Sequence, residues 1–261
     1  GTPQLGTPQG IASLLHGADE GILGGVIVDA ADVRQIAQNI ESAYSLLPSP
    51  RYFDDVTDPV ITFNPNASFT QAWRDEWGTS LDSYAEFAEF VTGEGVARAT
   101  PSAANLAQPE VLRSDLVANV ESFHAGFDDY VFPNSIRVVQ VAGWGITTVK
   151  SIEYENKYHF FEGYEPAFTR EGDKTVVYPS AISSGADETY FFNLFDFNET
   201  SNINAEHKDL LNTPHLQNLV TSIIEGGEVT TTNFITNDKP PVADIADQLL
   251  VSTHSPVILG V

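Results

Sequence analysis

The 261-residue chain contains no cysteine. That excludes disulfides, thiolate metal sites and a cysteine nucleophile, and it leaves the compartment open. Methionine is absent too, even from the first position. The chain therefore reads as a fragment or processed product, and the lack of a signal peptide says nothing about export. Basic residues are scarce: 12 Lys and Arg stand against 36 Asp and Glu, for a formal net charge of −24. Nucleic-acid surfaces need Lys and Arg to displace counterions, so no nucleic-acid partner is expected. Long-range attraction to an anionic membrane is disfavoured as well. No run of about 18 apolar residues occurs, so no transmembrane segment is expected. The acidic excess reads as the solubilising surface of a secreted or cell-surface protein. No D-x-D-x-D-G pattern supports a calcium site, and Asp54-Asp55 and Asp128-Asp129 are ordinary acidic pairs.

What is present suits a folded chain, since 42% apolar and 11% aromatic residues are ample for a core. Gly1 to Gly10 is a loop with a repeated Gly-Thr-Pro, in which Thr7 and Pro8 are placed to start a helix. Helical periodicity is strong over 29–47 and 110–130, with shorter amphipathic stretches over 69–77 and 81–92. Residues 93–109, rich in Gly, Ala and Pro, read as a mobile connector. At Ile136 the period changes to a mostly apolar run ending in Gly143-Trp144-Gly145, the pattern of a buried strand opening into a loop. Further strands are expected over 151–158, 175–178 and 189–195, and a helix over 210–224. Thr230-Thr231-Thr232 and Lys239-Pro240-Pro241 read as a linker, followed by short strands over 248–253 and 257–259.

Two residues carry the chemistry. Gly172-Asp173-Lys174-Thr175-Val176 places an acid in a tight loop, and Ala205-Glu206-His207-Lys208-Asp209-Leu210-Leu211 places a base before a helix. In α/β-hydrolases the triad runs Ser, then Asp or Glu, then His, and Asp173 and His207 fit the last two places. The imidazole takes the serine proton while the carboxylate fixes its tautomer and stabilises the imidazolium. The third member is missing, since no G-x-S-x-G occurs in the sequence. Taken singly, a loop Asp is more often a turn or cap residue and a lone His more often structural; their order gives them weight.

Four segments resemble the serine esterases and acyltransferases of the lecithin–cholesterol acyltransferase and GPI inositol-deacylase-like group. Gly1-Thr2-Pro3-Gln4-Leu5-Gly6-Thr7-Pro8 resembles the loop that follows the strand after the nucleophile, and Ser42-Ala43-Tyr44-Ser45-Leu46-Leu47-Pro48-Ser49 resembles a helix end of the family. Gly172-Asp173-Lys174-Thr175-Val176 resembles G-D-G-T-V, with Lys174 where Gly is frequent, a tolerable change only if the backbone there is not left-handed. The segment around His207 resembles the one carrying the triad base.

The resemblance implies the C-terminal half of an α/β-hydrolase sheet with a helical cap over about 50–130. Residues 1–226 would form a partial hydrolase domain, and 227–261 a linker and the beginning of a β-sandwich-like domain. The parent protein would cleave or transfer a lipid-like or other carboxylic ester, with no cofactor, and an upstream fragment would supply the nucleophile. Alone, the chain is expected to be inactive. The alternative is a non-catalytic adhesion or binding module with an inherited hydrolase fold; an upstream G-x-S-x-G turn separates the two.

Other residues invite plainer readings. Trp144 and Gly145, at a strand end, are candidates for the substrate pocket, although a packing Trp is as common. Trp73, Trp77, Phe87 and Phe90 could form an apolar lid face, but such faces normally pack within their own domain. His16, His124 and His159 have no metal-site spacing, and no metal is expected. Asn66-Ala67-Ser68 and Asn198-Glu199-Thr200 match glycosylation sequons, triplets that also arise by chance.

Overall fold

The computed structural model describes residues 2–17, 29–157, 161–182, 186–226 and 232–241. The opening loop runs into helix α1 (Pro8–His16). Thr7 caps it, its Oγ1 accepting from the Gln9 N–H at 3.4 Å, and Pro8 sits where no N–H is needed. The single helix expected over 29–47 is broken into α2 (Ala30–Ala37) and α3 (Glu41–Tyr44). Ile40 is extended at φ −110°, and Asn39 turns its side-chain amide onto the Gln35 carbonyl, a local bond that competes with helix. The bend carries Tyr44 and Leu47 into the core and leaves Ile36 and Ile40 nearly half exposed.

Helix α4 (Pro50–Asp55), strand β1 (Ile61–Phe63), helices α5 (Gln71–Trp77) and α6 (Tyr84–Thr92), and helix α7 (Ser114–Phe127) follow. A capping box of Ser83 and Glu86 starts α6. Helix α7 begins later than its periodicity suggests, because Arg113 is extended and the Leu112 N–H donates to the Val91 carbonyl at 2.8 Å. Then come β2 (Val139–Trp144), β3 (Thr148–Lys157), β4 (Phe161–Thr169), α8 (Tyr178–Ala181), β5 (Glu188–Asn193), α9 (Leu194–Ser201), a 3-10 helix (His207–Asn212), α10 (Pro214–Ile224) and β6 (Ile235–Thr236). The strand expected over 175–178 does not form. Val176 closes a turn, and Pro179 lies in the first turn of α8, where its missing N–H costs nothing.

Among the described residues the architecture is mixed α/β, with two separate three-stranded sheets rather than one large one. In the first, β1 pairs in parallel with β3, which forms an antiparallel hairpin with β4. In the second, β2 runs parallel to β5, and β6 pairs antiparallel on the far side of β5. Part of the expected linker is therefore a strand of this sheet, with Phe192 opposite Ile235. Lys239 fastens the same segment to the body through an ion pair with Glu171 at 2.8 Å and its position over the Trp144 and Tyr178 rings. The strands expected over 248–253 and 257–259 lie outside the described residues.

The largest core gathers side chains from α1, α3 to α7, β1 and β3, so the helical region over 50–130 shares its interior with the opening helix. At its centre Phe63, Trp73, Trp77, Tyr154 and Phe90 contact one another at ring separations of 5.2 to 6.4 Å. The aromatic stripe read as a possible lid is core. A second cluster lies under β5, α9, α10 and β6, and a third, around Trp144 and Phe191, lies on β2 and β5. Among the described residues, no helix is long and apolar enough to cross a membrane.

The connector over 93–109 is held rather than loose. Arg34, fully buried, donates to the carbonyls of Ser102, Ala103 and Asn105 at 2.9 to 3.1 Å and pairs with Glu110 at 3.5 Å. A guanidinium presents five donors in a fixed fork, which suits a cluster of backbone carbonyls. Removing it strands those acceptors and leaves Glu110 buried without its partner. Arg34→Ala is expected to destabilise the protein by about 3 kcal/mol in urea unfolding and to open the 99–110 segment to limited proteolysis.

Candidate active site

Asp173 and His207, 34 residues apart in sequence, meet at 2.9 Å between Oδ2 and Nδ1. The backbone repeats the link, since the His207 N–H donates to the Asp173 carbonyl at 2.9 Å. The carboxylate is fully buried, while the imidazole is about a third exposed. The other oxygen, Oδ1, accepts from the N–H groups of Val176 at 2.9 Å and Thr175 at 3.2 Å. Burial works to raise the Asp173 pKa, but the hydrogen bond from His207 leads the influences that hold the carboxyl below its ordinary value.

The acid is positioned by close backbone approach. Ile146 bridges in parallel to Asp173, so the acid turn extends the carboxyl end of β2, where sites in open α/β sheets gather. A Cβ on Gly143 would lie 2.5 Å from the Asp173 Cβ, and one on Gly172 would strike Thr148 Oγ1 and the Val176 carbonyl. Both positions exclude any larger residue. The turn itself is tight, the Asp173 N–H donating to the Val176 carbonyl at 3.2 Å. Lys174 takes φ +88°, the conformation in which hairpin turns favour Gly. The frequent Gly of the resembling pattern therefore has a physical reason here, and Lys174 departs from it at a cost. Two contacts compensate: the Lys174 N–H donates to Thr148 Oγ1 at 2.9 Å, and its ammonium meets Glu206, next to His207, at 2.5 Å.

The base is held from the other side. Asn198, on α9, both donates to and accepts from the backbone of Ala205 at 2.9 Å, fixing the loop two residues before His207. With Nδ1 engaged, Nε2 is the ring nitrogen left for proton transfer. His207 lines a mostly apolar cavity of about 350 Å³ with Thr2, Pro3, Val141, Leu210, Leu211, Leu216 and Val220.

The four resembling segments touch. Thr7 Oγ1 donates to the Thr175 carbonyl at 2.6 Å, and the Thr7 N–H donates to the Leu46 carbonyl at 2.8 Å. The Ser49 N–H reaches the Leu5 carbonyl at 2.9 Å, and Ser180 Oγ joins the same knot by donating to the Gly6 carbonyl at 2.5 Å. Gly6, at φ +87°, lies so close to the Leu47 carbonyl that a Cβ would come within 2.1 Å of it. The opening loop, the helix end at 42–49 and the acid turn form one hydrogen-bonded unit, which the Asp173–His207 pair joins to the base.

Trp144 and Gly145 are not brought to this cavity. Trp144 is buried against Tyr178 and Phe191, and both residues line a separate space of about 220 Å³ with Arg170, Asn193, Phe195 and Asp196. Tyr164 stacks on His16 at 3.8 Å, and His215 packs against the Phe197 and Phe234 rings. Thr148, Asn198 and Glu206 also hold the site. Each acts through a partner distant in sequence or through backbone atoms, and no local pattern marks it.

Two outcomes follow from this geometry. Lys174→Gly is expected to be more stable than Lys174→Ala by about 1 kcal/mol in urea unfolding, because both lose the exposed ion pair and only Gly relieves the positive φ. Because the folded pKa of Asp173 lies below its unfolded value of about 3.9, its ionisation stabilises the fold above about pH 4, and this contribution is lost as the pH falls through the folded value. The stability gap between the wild-type protein and Asp173→Asn should therefore shrink from pH 6 to pH 3.

Compared with known protein families and with curated proteins, the chain matches neither a family nor an individual protein.

Proposed function

We propose that Asp173 and His207 are the acid and base of a Ser–His–Asp site, and that the chain is the C-terminal part of a lipase-like or esterase-like α/β-hydrolase or acyltransferase. The observation that carries this reading is the pair itself: a buried carboxylate on Nδ1, and an imidazole that borders an apolar cavity with Nε2 uncommitted. A merely structural His–Asp contact needs no such cavity. The parallel β2–β5 pair, with the acid at the carboxyl end of β2, supports the finer assignment to a hydrolase sheet.

The nucleophile is assigned to a segment outside these 261 residues, on the natural chain or on a separate fragment. Among the described residues β2 lies at the end of its sheet, with Val139, Gln140 and Val141 only half buried. A further parallel strand added there would bring its own carboxyl end beside the acid turn. Leu211, Val220 and Ile224, exposed on the 3-10 helix and α10, offer apolar surface for the same segment.

In the completed site the serine hydroxyl attacks the ester carbonyl and passes its proton to His207 Nε2. Asp173 stabilises the imidazolium without taking the proton. His207 then protonates the departing alcohol, and water or a second alcohol releases the acyl group by the reverse path. The apolar lining beside His207 suits an acyl or alkyl chain.

The test joins the chain to the segment that precedes it in its gene and assays p-nitrophenyl esters of several chain lengths. His207→Ala is expected to lower kcat about 10⁴-fold or more, and Asp173→Asn by a comparable factor. Full activity in His207→Ala would refute the assignment. An upstream segment without a nucleophilic serine would favour a binding module.

A further inference from the structure

We propose that Asn66 is an N-glycosylation acceptor, and that Asn198, the other sequon asparagine, is not. The inference rests on export of the chain and is independent of the hydrolase reading.

The two sequons are equivalent as sequence and opposite as structure. Asn66 lies in the exposed turn after β1, held by backbone atoms alone: its N–H donates to Asn64 Oδ1 at 3.0 Å, and its carbonyl accepts from Asn156 Nδ2 at 3.3 Å. Its carboxamide takes no part in those bonds. Ser68, which supplies the sequon hydroxyl, is exposed at the start of the following 3-10 turn. Asn198 lies within α9, and both ends of its carboxamide are committed to Ala205, the Nδ2 to the carbonyl and the Oδ1 to the N–H, each at 2.9 Å. A sugar on that Nδ2 would occupy the space of the Ala205 carbonyl and loosen the loop that presents His207.

A glycan on Asn66 leaves the acid–base pair clear. Strand β3 runs from Thr148, which contacts Lys174 in the acid turn, to Asn156, which contacts Asn66. Eight residues of strand separate the two ends, roughly 25 Å.

In the modification the Asn66 carboxamide nitrogen attacks the anomeric carbon of a polyprenyl-phosphate- or pyrophosphate-linked oligosaccharide. One N–C bond forms, the C–O bond to the phosphate breaks, the lipid phosphate departs, and the amide loses one proton. No oxidant or reductant is needed.

Trypsin separates the sites, because Tyr52–Arg74 carries Asn66 and Thr175–Lys208 carries Asn198. Mass spectrometry of the protein purified from its natural source should find oligosaccharide on 52–74 and none on 175–208. In the same host, Asn66→Gln and Ser68→Ala should remove the glycan, and Ser68→Thr should retain it, which separates loss of the acceptor from loss of the fold. An unmodified 52–74 peptide, or a glycan on 175–208, would overturn the proposal.

Discussion

The buried carboxylate of Asp173 is the constraint on which this site depends. A charge removed from water is costly unless both carboxylate oxygens find partners. Asp173 meets that condition with two turn N–H groups on one oxygen and the His207 imidazole on the other. The same requirement sets the surroundings. The turn must be tight enough to aim the Thr175 and Val176 N–H groups inward, and the loop before His207 must be held firmly enough to keep the ring in place. Thr148, Glu206 and Asn198 supply that support from β3, the base loop and α9.

The turn's tightness is visible in its backbone. Gly143 and Gly172 are required by contact, each with no room for a Cβ, whereas Lys174 occupies a conformation that suits Gly and is held there by polar contacts. Strain of this kind persists where the surroundings over-determine it. The opening loop contributes too: Thr7 caps α1, accepts nothing from the acid turn, and instead donates to its Thr175 carbonyl. One side chain thus ties the first helix to the loop that carries the acid.

Much of the site could be read in advance because its chemistry is encoded in residue type and order. Asp173 and His207 stand out as an acid in a Gly-preceded turn and a base before a helix, and Thr7-Pro8 marks a helix start. Features that depend on tertiary contact were not legible. The apolar spacing over 29–47 is helical, but Asn39 and Ile40 bend the chain so that Tyr44 rather than Ile40 is buried. Residues 93–109 have the composition of a loose linker, yet Arg34, about 70 residues away, binds their carbonyls. Val176 and Val177 favour a strand by propensity, but the acid turn claims them. The Lys239-Pro240-Pro241 segment reads as a linker because nothing local reveals that Phe192 waits for Ile235, or that Glu171 waits for Lys239.

The central claim is that Asp173 fixes the His207 ring so that Nε2 is free to act as a base. Long-range ¹H–¹⁵N spectra of the imidazole, assigned with His207→Gln and recorded where the ring is neutral, test it in the chain as it stands. The expected result is a proton on Nδ1, an unprotonated Nε2, and a change in this tautomer when Asp173 becomes Asn. A proton on Nε2, or a spectrum indifferent to Asp173→Asn, would contradict it.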